Sequence, residues 1–134
     1  MRRSTILRAS ALALVALLAV EGSAFAAFVE PTSLFIHRRP SGSVQQGTEI
    51  TIRGRLSSDE RSCRRHKVIR LVKIGEGVVD LDTTNRFGRY VFERRARRTQ
   101  MFRTRFDGTA SGVHPDIEVC LASSSRRITV RVRP

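Results

Sequence analysis

Asp82-Thr-Thr-Asn-Arg-Phe-Gly-Arg-Tyr-Val-Phe-Glu93 reads as a turn that delivers the chain into a strand. Asn85 and Gly88 are residue types that accept positive φ and close turns, and Tyr90 and Phe92, two apart, fall on one face of the strand that leaves the turn. Aromatic residues at that spacing build a core, so the stretch predicts a buried sheet face. The same period of two repeats on either side of it. Glu49-Ile-Thr-Ile-Arg-Gly-Arg-Leu56 sets Ile50, Ile52 and Leu56 inward and Glu49, Thr51, Arg53 and Arg55 outward. Gly54 falls on the inner side, which predicts a bulge or a close sheet contact. Thr99 to Phe106 alternates Phe102, Thr104 and Phe106 against Met101, Arg103 and Arg105. Arg127-Ile-Thr-Val-Arg-Val-Arg133 sets Ile128, Val130 and Val132 inward and its three arginines outward with Thr129.

The remaining segments fit the same plan. Lys67-Val-Ile-Arg-Leu-Val-Lys-Ile74 is nearly continuous in apolar residues, as a central strand is, and Val78-Val-Asp-Leu-Asp82 supplies its neighbour after the Gly75-Glu-Gly77 turn. Ser33-Leu-Phe-Ile-His37 lies between Pro31 and Pro40, which suits an edge strand. Arg38 to Gly47 and Ser57 to Arg65 carry loop chemistry. Arg94-Arg-Ala-Arg-Arg98 breaks the alternation and reads as a solvated connection, and Asp107 to Ser125 reads as a long loop ending near a strand edge. No useful helical period occurs after residue 26. About seven short strands with turn signals between them predict an all-β domain, a single β-sandwich.

That domain occupies residues 27–134, because residues 1–26 read as a cleaved secretory signal peptide. Arg2, Arg3 and Arg8 precede an apolar run from Ala9 to Val20 that is too short for a stable membrane anchor, and an Ala-x-Ala pattern closes at Ala26. A buried N-terminal helix explains the run but not the arginines before it. Ser4 and Thr5 follow the arginine pair where twin-arginine signals carry hydrophobic residues, which favours general export. The expected location is therefore secreted or periplasmic, with no transmembrane segment in the mature chain.

Removing 26 of 134 residues leaves 108, enough for one two-layer core of marginal stability. Cys63 and Cys120 are the only cysteines, and an even count in an exported chain argues for one disulfide. Cys63-Arg-Arg-His66 has the spacing of half a zinc site, yet no second ligand pair of the usual form accompanies it, so the expectation is no metal and no cofactor.

The net charge is +13, and loss of Arg2, Arg3, Arg8 and Glu21 with the leader takes away +2, leaving +11. Nearly all of it is arginine, since Lys67 and Lys73 are the only lysines. Guanidinium pairs bidentately with phosphate or carboxylate, and a GC-rich bacterial genome produces the same bias without any ligand.

Gly47-x-x-Ile-x-Ile-x-Gly-x-Leu56, Thr83-x-Asn-x-x-Gly-x-Tyr-x-Phe92, Phe102-x-x-x-Phe106-x-Gly108 and Ile128-x-Val-x-Val132 together resemble the immunoglobulin-like and carboxypeptidase-regulatory-like β-sandwich domains of secreted bacterial proteins. The resemblance implies a Greek-key sandwich used for adhesion, spacing or binding, and supplies no catalytic residues. It also implies that the loop after the second strand and the loop before the last lie at one end, where Cys63 and Cys120 can meet. That bridge would tie two loops and would differ from the inter-sheet bridge of antibody domains, whose tryptophan partner is missing.

Catalytic signals are weak. His114-Pro-Asp-Ile-Glu118 alternates three potential ligands, but Pro115 and nearby glycines suit a solvated loop. No Gly-x-Ser-x-Gly elbow occurs, and His37, His66 and His114 have no evident serine or acidic partner. The expected function is a non-enzymatic module for protein interaction, adhesion or envelope structure. The alternative is an arginine-rich binder of extracellular or cell-envelope polyanions, using Arg94, Arg95, Arg97, Arg98, Arg103, Arg105, Arg127, Arg131 and Arg133, with Arg53 and Arg55 contributing to a positive sheet face. Arginines that merely keep strand edges soluble give the same pattern. Single-stranded nucleic acid is disfavoured, because no aromatic residues interleave with the outward arginines in sequence.

Overall fold

The computed structural model describes residues 28–113 and 115–134. The expected leader, residues 1–26, and His114 of the alternating ligand set both lie outside the described residues. The chain runs through β1 (Phe28–Glu30), β2 (Ser33–Arg39), β3 (Val44–Gln45), β4 (Glu49–Ser57), a 3-10 turn at Arg61–Cys63, β5 (Val68–Lys73), β6 (Gly77–Thr83) and β7 (Arg89–Arg95). It continues through β8 (Gln100–Phe106), β9 (Thr109–Val113), β10 (Asp116–Cys120), β11 (Ser123–Ser124), β12 (Ile128–Val130) and β13 (Val132–Arg133). The architecture is all-β. Among the described residues no helix is long and apolar enough to cross a membrane.

Two antiparallel sheets carry the core. One has the order β2-β4-β7; the other has the order β6-β5-β8, with β11 and β12 both pairing with the far side of β8. The alternation that predicts the strands also decides how the sheets meet. Ile36, Ile52, Leu56 and Phe92 from the first sheet and Ile69, Leu71, Phe106 and Val130 from the second belong to one buried cluster. Ser33-to-His37 takes the predicted edge position, and β5 takes the predicted central one between β6 and β8.

Four local expectations are corrected. Asn85 does not adopt positive φ; Gly88 alone in that turn does, at 81°. Asn85 works instead through its side chain, whose Oδ1 accepts from the Phe87 and Arg89 amides at 2.9 and 3.0 Å. The strand after the turn runs on through Arg94 and Arg95, and Ala96 is buried, so only Arg97 and Arg98 are a solvated connection.

The segment after Asp107 is not a loop but the β9–β10 hairpin, in a third sheet of order β1-β10-β9. Its glycines and proline mimic loop composition, and the strand that completes the sheet comes from the far end of the sequence, where no local period reveals it. Phe28, Val29 and Glu30 run parallel to β10, opposite Glu118, Val119 and Cys120. The final strand is also divided. Val130 pairs with Gln100, the first residue of β8, so β8 offers nothing further; Val132 and Arg133 then pair in parallel with Val44 and Gln45 of β3.

Candidate functional site

The disulfide fixes one end of the molecule. Cys63 and Cys120 are bonded, with Cα atoms 5.4 Å apart, and both are buried. The bridge joins the 3-10 turn after β4 to the last residue of β10, rather than two loops, and it belongs to the core cluster. Glu118 lies over it, with Oε1 2.7 Å from the Ser62 hydroxyl and 3.8 to 3.9 Å from the two sulfurs. These are the only clustered metal-type ligands among the described residues, and both sulfurs are committed to the bond. Cys63 is therefore not half of a Cys-x-x-His zinc site.

The Asp82–Glu93 turn abuts this end. Buried Thr84 donates its hydroxyl to the Arg64 carbonyl at 2.7 Å and accepts from the Lys67 amide at 2.9 Å, so the Cys63 segment and the turn position each other. Gly88 packs so closely that a Cβ there would strike the Leu56 carbonyl. Two residues on, Tyr90 links the sheets. Its hydroxyl donates to the Phe35 carbonyl at 2.7 Å and lies 2.8 Å from the Thr104 hydroxyl of β8, which must then be the donor to it. Burial pushes the Tyr90 hydroxyl up to about 12 against the opposing effect of Thr104. Gly54 is the close contact its position predicts, since a Cβ there would overlap both the Phe35 carbonyl oxygen and the Tyr90 hydroxyl.

The nine arginines expected to bind polyanions do not form one surface. Arg94, Arg95, Arg97, Arg98, Arg131 and Arg133 gather at the pole opposite the disulfide. Backbone bonds bring them there, from Gly47 to the Ala96 carbonyl at 2.6 Å and from Val44 to the Arg131 carbonyl at 2.9 Å. Glu76 answers part of that charge, holding Lys73 at 2.7 Å and Arg98 at 3.4 Å. The Lys73 hydrogen bond is the main cause holding its carboxyl below the usual range.

Arg103 and Arg105 stand on the outer face of the second sheet, and Arg127 precedes β12. Arg105 pairs with Asp107 at 2.7 Å, and Arg70, opposite Arg105 in register, pairs with the same carboxylate at 2.5 Å. Partial burial works to raise the Asp107 pKa, but the two guanidinium groups outweigh it and hold the carboxyl low. Arg103 has its Nε buried without a hydrogen-bond partner. Arg53 and Arg55 belong to the other sheet, so the positive sheet face expected from all these pairs together is two faces, back to back.

The outer face of the first sheet carries what the linear reading misses. Phe35, Arg55 and Arg89 stand opposite one another on β2, β4 and β7, and His37, Arg53 and Val91 form the next row. Phe87, at the tip of the turn, is covered by the Arg86 and Arg89 guanidinium groups at 4.7 and 5.6 Å from its ring centre, and Arg55 lies 5.9 Å from that of Phe35. Aromatic and basic residues therefore do interleave, across strands instead of along one. The signal was the parity of Phe35 with the outward set of its own strand, which only the sheet order connects to Arg55 and Arg89. No protein-family model and no curated protein matches this chain.

Proposed function

We propose that this is an extracytoplasmic, non-enzymatic binding module of the immunoglobulin-like type, and that its partner is anionic. The chain order supports the fold assignment: β4 and β5 cross from one sheet to the other, β7 returns beside β4, and β8 returns beside β5, as in a Greek key. A leader at residues 1–26 and a formed disulfide suit an exported protein. The displaced pKa values all have structural causes: burial raises that of Tyr90, and ion pairs with Lys73, Arg98, Arg70 and Arg105 lower those of Glu76 and Asp107.

The observation that carries the anionic partner is the charge imbalance at contact range. Among the described residues only Arg70, Arg98 and Arg105 of the arginines reach a carboxylate within 4.0 Å, in three ion pairs that, with that of Lys73, use just Glu76 and Asp107. Guanidinium groups left without partners are sites for phosphate, sulfate or carboxylate supplied from outside. Retention on immobilised heparin tests this. Binding that persists near physiological salt and falls steeply above it is the expected result, and elution at low salt would sink the anionic reading.

A protein partner at the disulfide-tied end is the second reading. It rests on Phe28, Val29 and Val113, exposed on the third sheet. Capture from the cell envelope that is lost in a Val113→Asp variant and insensitive to salt would favour it over the first.

A further inference from the structure

We propose that the outer face of the β2-β4-β7 sheet is a stacking and phosphate-binding surface for single-stranded nucleic acid. This rests on the anionic-partner reading and adds to it the kind of polymer and the place where it lies. Three features of the face bear on the choice.

Its cations are free. Arg53, Arg55, Arg86 and Arg89 form no ion pair with any described carboxylate. Acidic residues reach this face at its margins, where Glu93 stands opposite Thr51 in the third row and Asp82 of β6 accepts from the Val91 amide at 2.8 Å. Its aromatic rings are exposed and lie outside the core. Phe35 is 55% and Phe87 53% exposed, while Tyr90 and Phe92, on the opposite side of the same sheet, supply the core. And its relief suits an extended chain. Arg55 and Arg89 form a ridge between two shallow concavities, one of ≈ 410 Å³ bordered by Phe35, His37 and Arg53, the other of ≈ 280 Å³ bordered by Phe87, Arg64 and Ser57.

Strands about 4.8 Å apart put Phe35 on β2 roughly 10 Å from the β7 position of Arg89. The two rings therefore flank the arginine ridge at a separation of a few nucleotides. A single strand crossing the sheet places phosphates on Arg55 and Arg89 and a base against Phe35, and a second base reaches Phe87 once the Arg86 and Arg89 guanidinium groups turn from its ring toward phosphate. Charge alone would serve a polysaccharide or a lipid headgroup equally well, but neither offers an aromatic ring to Phe35 and Phe87. Duplex DNA is a poorer fit, because its bases are already stacked and no element of this face projects to enter a groove. The contact is sequence-tolerant, since every base has a π-face.

The test is fluorescence anisotropy of the exported, processed protein with a labelled oligothymidylate of about twelve residues, an abasic phosphodiester of the same length, and heparin as competitor. Oligothymidylate is expected to bind at least about tenfold more tightly than the abasic oligomer. Phe35→Ala with Phe87→Ala should abolish that preference, bringing the two oligomers to equal affinity; Phe35→Tyr with Phe87→Tyr should keep it, and Arg55→Gln with Arg89→Gln should weaken both oligomers. Thermal unfolding of each variant distinguishes loss of contact from loss of fold. Equal affinity for the two oligomers, or a preference that survives removal of both rings, overturns the stacking surface and leaves the anionic reading standing. Failure to bind any of the three probes overturns both.

Discussion

The two outer faces of the sandwich use the same residue to opposite ends. On the β6-β5-β8 sheet, Arg70 and Arg105 close on Asp107, so their charge is partly neutralised within the protein. On the β2-β4-β7 sheet, Arg53, Arg55 and Arg89 pair with no described carboxylate and lie among exposed phenylalanines instead. One aspartate makes the difference. Counting arginines along the chain ranks Arg105 equal to Arg55, whereas the position of a counter-charge separates them.

The largest expected effect asks whether the two faces share one foundation. Replacing Cys63 and Cys120 by alanine removes a cross-link spanning 57 residues, which the chain-entropy model values at roughly 4 kcal/mol. A single denaturant transition shifted by about that amount is expected, with circular dichroism and hydrogen exchange on both sheets moving together. Separate transitions would show that the faces are independently stable.

Gly54→Ala strikes the binding face from beneath. Its Cβ would meet a backbone oxygen as well as the Tyr90 hydroxyl, so relief requires strand movement, and a loss of about 3 kcal/mol is expected from denaturant titration. Tyr90→Phe is milder, about 2 kcal/mol, because it leaves the Phe35 carbonyl and the Thr104 hydroxyl without their shared partner. It also carries a pH signature. The native hydroxyl titrates at about 12 against an ordinary value of 10.0, so the unfolded chain ionises first. Its contribution is constant below the lower value and is lost as pH rises from there through the higher one. Stability of the wild type should fall across that window more steeply than that of Tyr90→Phe.

Smaller effects sharpen the contrast itself. Arg55→Gln with Arg89→Gln should reduce the salt slope of single-strand binding by about 1.4, whereas Arg70→Gln with Arg105→Gln should leave it nearly unchanged. Asp107→Asn is the converse experiment. Its ion pairs are largely exposed and worth less than about 1 kcal/mol together, so stability should barely move. Freeing Arg70 and Arg105 should nevertheless strengthen retention on heparin. If it does not, the paired carboxylate is not what separates the two faces.

The sequence by itself determined the strands whose burial alternates. Ile50, Ile52, Leu56, Tyr90, Phe92, Phe102, Phe106, Ile128 and Val130 are readable as core because a period of two is a local property of the chain, and all of them are buried. It also pointed to the Cys63–Cys120 bridge, since a chain with two cysteines offers only one intramolecular pairing. Tertiary structure decided the rest. The β9–β10 hairpin needs β1, nearly ninety positions away, to complete its sheet, and the split of the last strand depends on where β8 begins. The candidate surface is of the same kind: Phe35, Arg55 and Arg89 are distant in sequence and adjacent only because the sheet order is β2-β4-β7. Alternation says which side of a strand faces water. Only strand pairing says which residues share that side, and on this molecule it is pairing that sets unpaired arginines beside exposed aromatic rings.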